Sequence, residues 1–262
     1  MDSPSLSNLR TLSIYIEQDI PRNHNFRNQP EDPKYLDGDV LNIVLRRLME
    51  RTHLTDLSLT GFWLVSPVLF DGKEIFPYLK RVKIEGALIT YDGQWHYTGN
   101  PTTVDADYEG AQDDAEGDYD DGDVSDPNSS FNSEFGDSLP EGREALLNGD
   151  VPNHMWRTQP DPQMFDPLMK TMATALLRMP RLQNFFFSIA WGYLDYHAII
   201  FECLKHGENP IFFRSPQQTV ELNATRCYVT LMFEVRWEVP GDVATIWKEV
   251  VGDKGVVAVA PF

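Results

Sequence analysis

The sequence predicts an α/β fold, an irregular stack of strand-plus-helix units, and three observations carry that prediction. One spacing recurs four times, Leu-x-x-apolar-x-apolar, with its last residues at period two as in a strand. Helix-like stretches with their own start and stop residues precede two of those phrases. The negative charge is confined: fourteen of the 40 acidic residues lie between Asp105 and Glu141 with no Lys or Arg among them, which leaves 26 acids against 22 bases elsewhere.

The elements follow in order. The first phrase is Leu9, Leu12, Ile14. Residues 40–51 read as a helix behind Asp39 as N-cap, with Leu41, Val44, Leu45 and Leu48 on one face, and His53 leads into the second phrase, Leu54, Leu57, Leu59. The third is Leu79, Val82, Ile84. Tyr91-Asp92-Gly93-Gln94, between apolar runs at 87–89 and 95–97, signals a hairpin with a two-residue loop. Asp166-Pro167 reads as N-cap and N1 of a helix carrying Leu168, Met169, Met172, Ala173, Leu176 and Leu177, which Met179-Pro180 stops just before the fourth phrase, Leu182, Phe185, Phe187. Residues 199–204 fit helix or strand equally. Residues 227–239 alternate as one long half-exposed strand, Pro240-Gly241-Asp242 opens a helix with Val243, Ile246, Trp247 and Val250 on one face, Gly252 ends it, and 256–260 supply a last strand.

A strand and a helix per unit, with apolar side chains alternating inward, is how leucine-rich repeats build a continuous core. The expected architecture is therefore an irregular leucine-rich-repeat-like stack. Its halves, 1–98 and 166–262, form one continuous domain interrupted by 99–165. That segment is rich in acids, Gly, Ser, Asn and Pro and too poor in apolar residues to repay the entropy of ordering, so it reads as an acidic disordered insertion.

Composition excludes several functions. The chain has 262 residues and a formal charge of −18, and 42% of its residues are hydrophobic, enough for a substantial core. A pI near 4.6 argues against a nucleic-acid partner, because phosphate neutralisation needs clustered Lys and Arg. Residues 1–12 lack the basic and apolar regions of a signal peptide, and no run approaches the ~18 apolar residues of a membrane span. The cytoplasm or nucleus is the expected location, with no membrane partner. Two cysteines, Cys203 and Cys227, rule out a disulfide framework and leave one bridge open.

The chemistry-bearing motifs are missing together: no phosphate-binding Gly-rich turn, no Gly-x-Ser-x-Gly elbow, no His-Glu-x-x-His. Neither Gly117 nor Gly122 gives an EF-hand register. The six histidines are scattered and the cysteines lack zinc-site spacing. His96, between Trp95 and Tyr97, and His197, near Cys203, are the best-placed catalytic candidates, but strand alternation accounts for both. Large aromatics at Phe185 and Phe187, with Trp191 and Tyr193, are read as repeat core rather than as a ligand pocket, while alternation turns Phe186 to the opposite face. No catalytic residue, metal site or cofactor is expected.

The phrases Leu9-Arg10-Thr11-Leu12, Leu79-Lys80-Arg81-Val82 with Tyr91-Asp92-Gly93, Met179-Pro180-Arg181-Leu182 and Trp237-Glu238-Val239-Pro240 resemble the C-terminal region of fungal F-box proteins. In that family an N-terminal F-box binds a Skp-type adaptor of cullin ubiquitin ligases and the repeat-like region selects the substrate. The resemblance implies a non-enzymatic interaction scaffold with an unknown protein partner. The first phrase, with its lead-in from Leu6, leaves no room for an F-box, so a Skp-type adaptor is expected to bind only if one precedes Met1. The alternative is an enzyme of an unrecognised α/β type with a cleft near the insertion.

If the phrase anchors face the core, period two turns a second set outward: Thr11, Ser13 and Tyr15; Asp56, Ser58 and Thr60; Arg81, Lys83 and Glu85; Asn184, Phe186 and Ser188. These twelve are the expected partner-binding face, with Tyr15, Arg81 and Phe186 as its anchors.

Overall fold

The four phrases fold as strands, each with its anchors turned to one side. A computed structural model describes residues 8–16, 25, 39–101, 156–189, 198–210, 224–232 and 235–261. The strands are β1 (Thr11–Ile16), β2 (Asp56–Trp63), β3 (Arg81–Gly86), β4 (Tyr97–Thr98), β5 (Gln159–Pro160), β6 (Asn184–Ile189), β7 (Ile199–Leu204), β8 (Arg226–Leu231) and β9 (Val256–Pro261). The helices are α1 (Val40–Arg51), α2 (Pro162–Leu177) and α3 (Gly241–Val251), with a 3-10 turn at Pro67–Leu69.

Seven strands make one sheet in the order β1-β2-β3-β6-β7-β8-β9, and β4 pairs with β5 apart from it. All neighbours in the large sheet run parallel except β7, which is antiparallel to both β6 and β8. The result is a mostly parallel α/β sheet. Leu57, Leu59, Val82, Ile84, Phe185 and Phe187 lie buried in one core with Leu45 and Met49 of α1 and Leu168, Met169 and Met172 of α2. Trp247 of α3 stacks on Phe201 at 5.0 Å between ring centroids, carrying that core along the same face of the sheet to β7.

The helix ends obey local rules, with two corrections. Asp39 caps α1 as expected, its side chain accepting from the Asn42 amide, and Gly252 ends α3 at φ 72°. The cap of α2, however, is Asp161, which accepts from the Gln163 amide, with Pro162 at the first helical position; Pro167 therefore lies inside the helix. Two Asp-Pro pairs stand five residues apart. The earlier one wins because its extra turn buries Phe165, edge-on to Trp237 at 5.1 Å, while Asp166 is free to accept from Trp237 Nε1 at 3.1 Å. Ordered structure therefore begins before residue 166, since β5 and the first turn of α2 fall inside the expected insertion; residues 102–155 lie outside the described residues.

The second correction concerns which face of α1 turns inward. Asn42, Leu45 and Met49 are buried, whereas Leu41 and Val44 are exposed. A buried polar network sets this rotation. Trp63 Nε1 donates to Asn42 Oδ1 at 2.9 Å, Asn42 Nδ2 donates to the Leu64 carbonyl at 2.8 Å and to Asp39, and Asp39 also accepts from Ser66. A buried indole N–H without a partner would be costly, so Asn42 rather than Leu41 faces the sheet.

Three further readings change. The hairpin loop has three residues, 91–93, because Thr90 pairs with Gln94 and Gly93 takes the left-handed position at φ 76°. Residues 199–204 are a strand buried on both faces. The long half-exposed strand at 227–239 is instead the short β8, buried between β7 and β9, and the chain turns after it at Met232, whose carbonyl accepts from the Val235 amide at 3.3 Å. Cys203 and Cys227 face each other across β7 and β8 as free, buried thiols.

The chain divides into two units, one of Met1–Ile20, Arg27–Thr98 and Thr158–Phe262, the other of Pro21–Phe26 and Gly99–Arg157. The first holds the sheet and helices. In the second, Trp156 Nε1 donates to Asn25 Oδ1 at 3.3 Å and the Arg157 guanidinium sits 4.1 Å from the Trp156 ring centroid.

Candidate protein-interaction face

Strand alternation puts the twelve predicted residues on the sheet face opposite the helices, and the pairing aligns them. Thr11, Asp56, Arg81 and Asn184 form one rung; Ser13, Ser58, Lys83 and Phe186 form the next. Tyr15 pairs with Thr60 and Glu85 with Ser188. The register slips between β2 and β3 after Leu59, so Thr60 and Glu85 are not partners. Gly61 makes this bulge: its φ is 83° and a side chain there would run into the Ile16 carbonyl of β1. The Glu85 carboxylate accepts from the Gly61 amide at 3.3 Å, tying the irregular stretch back to β3.

Exposure differs across the face, from open at β1 to closed over most of β6. Thr11, Ser13 and Arg81 are exposed and Tyr15 is 59% exposed, while Asp56, Ser58, Thr60, Lys83, Glu85 and Asn184 are half-buried. Phe186 and Ser188 are each only 7% exposed, so the expectation that they stand open beside the others is corrected. Phe186 packs with Ala198, Ile200 and Met232 in a small cluster of its own, and Lys83 Nζ lies 5.9 Å from its ring centroid. A large apolar ring on an outer face needs cover, and here it has it. Trp191, Tyr193 and His197 lie outside the described residues.

A shallow, open depression of about 280 Å³ sits at the amino ends of β1, β2, β3 and β6, lined among others by Thr11, Asp56, Ser58, Arg81, Lys83 and Asn184. Small-molecule sites of open α/β sheets lie at the carboxyl ends of the strands. The charges around the depression are already matched. Arg81 pairs with Asp56, and Lys83 with Glu85 at 2.7 Å. Partial burial pushes the Asp56 carboxyl up, but hydrogen bonds from the Thr55 hydroxyl and Arg81, with the charges of Arg81 and Lys80, together hold it below its ordinary value. Pairs of this kind, half in water, hold their side chains in a fixed orientation and steer an approaching partner.

The strongly perturbed titratable groups lie elsewhere and do not converge. Burial lowers His96 to about 4, against the pull of the Val65 carbonyl and Asp92. Burial raises the Tyr97 hydroxyl and the Cys227 thiol, the latter facing Cys203. All three are core groups. Among the described residues no set of His, Cys, Asp and Glu is arranged to hold a metal ion, and no helix is long and apolar enough to cross a membrane.

Comparison with protein families, with curated proteins and with solved structures finds no match.

The face also has members that sequence reasoning missed. Rungs continue through Leu204, Glu202 and Ile200 of β7 to Arg226, Tyr228 and Thr230 of β8, all of them buried. The uninterrupted apolar run 198–201 hid the alternation that would have revealed them.

Proposed function

We propose that this chain is a non-enzymatic protein-interaction scaffold that engages a partner protein through the exposed part of the sheet face on β1, β2 and β3. The observation that carries the proposal is the common register of Thr11, Ser13 and Tyr15 with Asp56, Ser58, Arg81 and Lys83, which sets polar and aromatic side chains side by side on rigid strands. In this reading the strands and helices form an irregular leucine-rich-repeat-like stack, akin to the substrate-selecting region of fungal F-box ubiquitin-ligase receptors. Repeat-like strands in register make an extended docking surface, whereas catalysis needs acids, bases or ligands gathered in one pocket. The two free, buried thiols suit the reducing cytoplasm or nucleus.

The energetic anchors are Tyr15 and Arg81, residue types over-represented among binding hot spots. Ser13, Ser58 and Thr11 add fit rather than energy. The test is affinity purification with the full chain and with Tyr15→Ala and Arg81→Ala, followed by titration of each recovered protein in pure form. A genuine partner binds the wild-type chain directly and loses roughly 5- to 100-fold in affinity on either substitution, about 1–3 kcal/mol. Both sites are exposed, so the melting temperature should hold. If every purified binder tolerates both substitutions, the face is not the docking surface.

A further inference from the structure

The outward stripe of α1 offers a second surface, on the helical side of the sheet. Val40, Leu41 and Val44 are 58%, 50% and 52% exposed, and Leu48, half-buried, extends the row at the same helical spacing. Four apolar side chains on one face of a twelve-residue helix normally turn inward. Here they cannot. The hydrogen bonds from Trp63 to Asn42 and from Asn42 to Asp39 and Leu64 lock the rotation, and turning Leu41 or Val44 toward the sheet would pull Asn42 away from the buried indole. The apolar row is held outside by the same contacts that hold the helix in place.

The charge around this row is opposite to that of the chain as a whole. Arg47 and Arg51 lie exposed on the C-terminal half of α1, and Arg10, also exposed, reaches its end by donating from Nη1 to the His53 carbonyl at 3.4 Å. Among the described residues none of the three makes an ion pair. A protein of formal charge −18 thus places three unpaired arginines at one end of an exposed apolar stripe.

We infer that α1 docks an amphipathic helix of a partner protein, with apolar residues repeating every three or four positions and acidic residues at one end. The apolar anchors pack along Val40, Leu41, Val44 and Leu48, and the carboxylates meet Arg10, Arg47 and Arg51. The antiparallel arrangement satisfies both demands. It sets the partner helix's N-terminal turn, where Asp and Glu are favoured by the helix dipole, beside the arginines at the C-terminal end of α1. Guanidinium groups bind such carboxylates with two hydrogen bonds each, which adds orientation to attraction.

The experiment is selection from a display library of helix-forming peptides of about five turns against the full chain, with each enriched peptide synthesised and its affinity measured by fluorescence anisotropy. Enriched peptides should share the apolar spacing and carry Asp or Glu toward the N-terminus. Val44→Glu and the double variant Arg47→Glu/Arg51→Glu should each weaken binding at least about tenfold, and added salt should weaken it further. Tyr15→Ala, on the opposite face, should leave it unchanged. The charge variant alters only exposed side chains, so it decides the matter even if Val44→Glu unfolds the chain. Three results would overturn the inference: no enriched peptide distinguishes wild type from the charge variant, the enriched peptides are basic, or sedimentation shows a dimer abolished by Val44→Glu, which would make a second copy of this chain the occupant.

Discussion

His96 makes the stability of this protein depend on pH in a window where most carboxylates are still ionised. The ring is fully buried, with Nε2 3.2 Å from the Val65 carbonyl and Nδ1 without a hydrogen-bond partner. Around it, the His96 amide donates to the Leu88 carbonyl at 2.7 Å and the His96 carbonyl accepts from the Asp161 amide at 2.9 Å, so the backbone that carries the ring is tied both to the hairpin and to the start of α2. Burial depresses the imidazole from 6.5 to about 4. As pH falls, the unfolded chain therefore takes up its proton first, and stability that is fully present above pH 6.5 is lost as pH falls toward 4. The full loss is about 3 kcal/mol, of which about 2 kcal/mol falls between pH 7 and 5. Urea unfolding followed by tryptophan fluorescence at those two pH values, for wild type and His96→Gln, isolates the effect. Glutamine keeps an N–H for the Val65 carbonyl but does not titrate, and the carboxylates cancel in the comparison. The variant should lose about 2 kcal/mol less than wild type on acidification. Equal losses would refute the reasoning, and so would an NMR titration of the wild-type ring with a midpoint near 6.5.

Other expectations follow from buried or constrained groups. Asn42→Ala strands Trp63 Nε1 and removes the side-chain hydrogen bonds that Asn42 donates to Asp39 and to the Leu64 carbonyl, so it should cost roughly 2–3 kcal/mol in urea unfolding; a loss within error would show that water replaces the amide. Gly61→Ala forces a side chain into a positive-φ bulge against the Ile16 carbonyl and should lower the melting temperature by several degrees, whereas an unchanged value would mean that β1 moves aside freely. Cys203 and Cys227 should ignore a chromogenic disulfide reagent in the native protein and react together in urea, because both are buried and burial raises the Cys227 thiol; fast native reaction would reveal local opening of β7 from β8.

Much of the fold was legible because its determinants are local. Each phrase Leu-x-x-apolar-x-apolar carries its own inward pattern, and stacking like phrases in parallel sets the register, so the common rung of Thr11, Asp56, Arg81 and Asn184 follows from their equal spacing within the phrases. Asp39, Gly252 and the Pro240-Gly241 opening mark helix ends by backbone chemistry that needs no distant partner. Other features depend on contacts between residues far apart in the chain. Period alone could not place Asn42 inward, because the reason is an indole 21 residues later. Nor could it choose Asp161 over Asp166, since the choice turns on Phe165 meeting Trp237. Residues 199–204 were ambiguous because a strand buried on both faces shows no alternation. Phe186 and Ser188 were placed on the correct face but are not open to solvent, because periodicity gives the direction of a side chain and says nothing of what lies above it. The sequence by itself thus determined the four phrase strands, the side to which each turns its apolar anchors and the composition of the outer face they carry. The tertiary structure decided how α1 is rotated, where β7 reverses and which part of that face meets water, since burial is a property of neighbours brought together by folding.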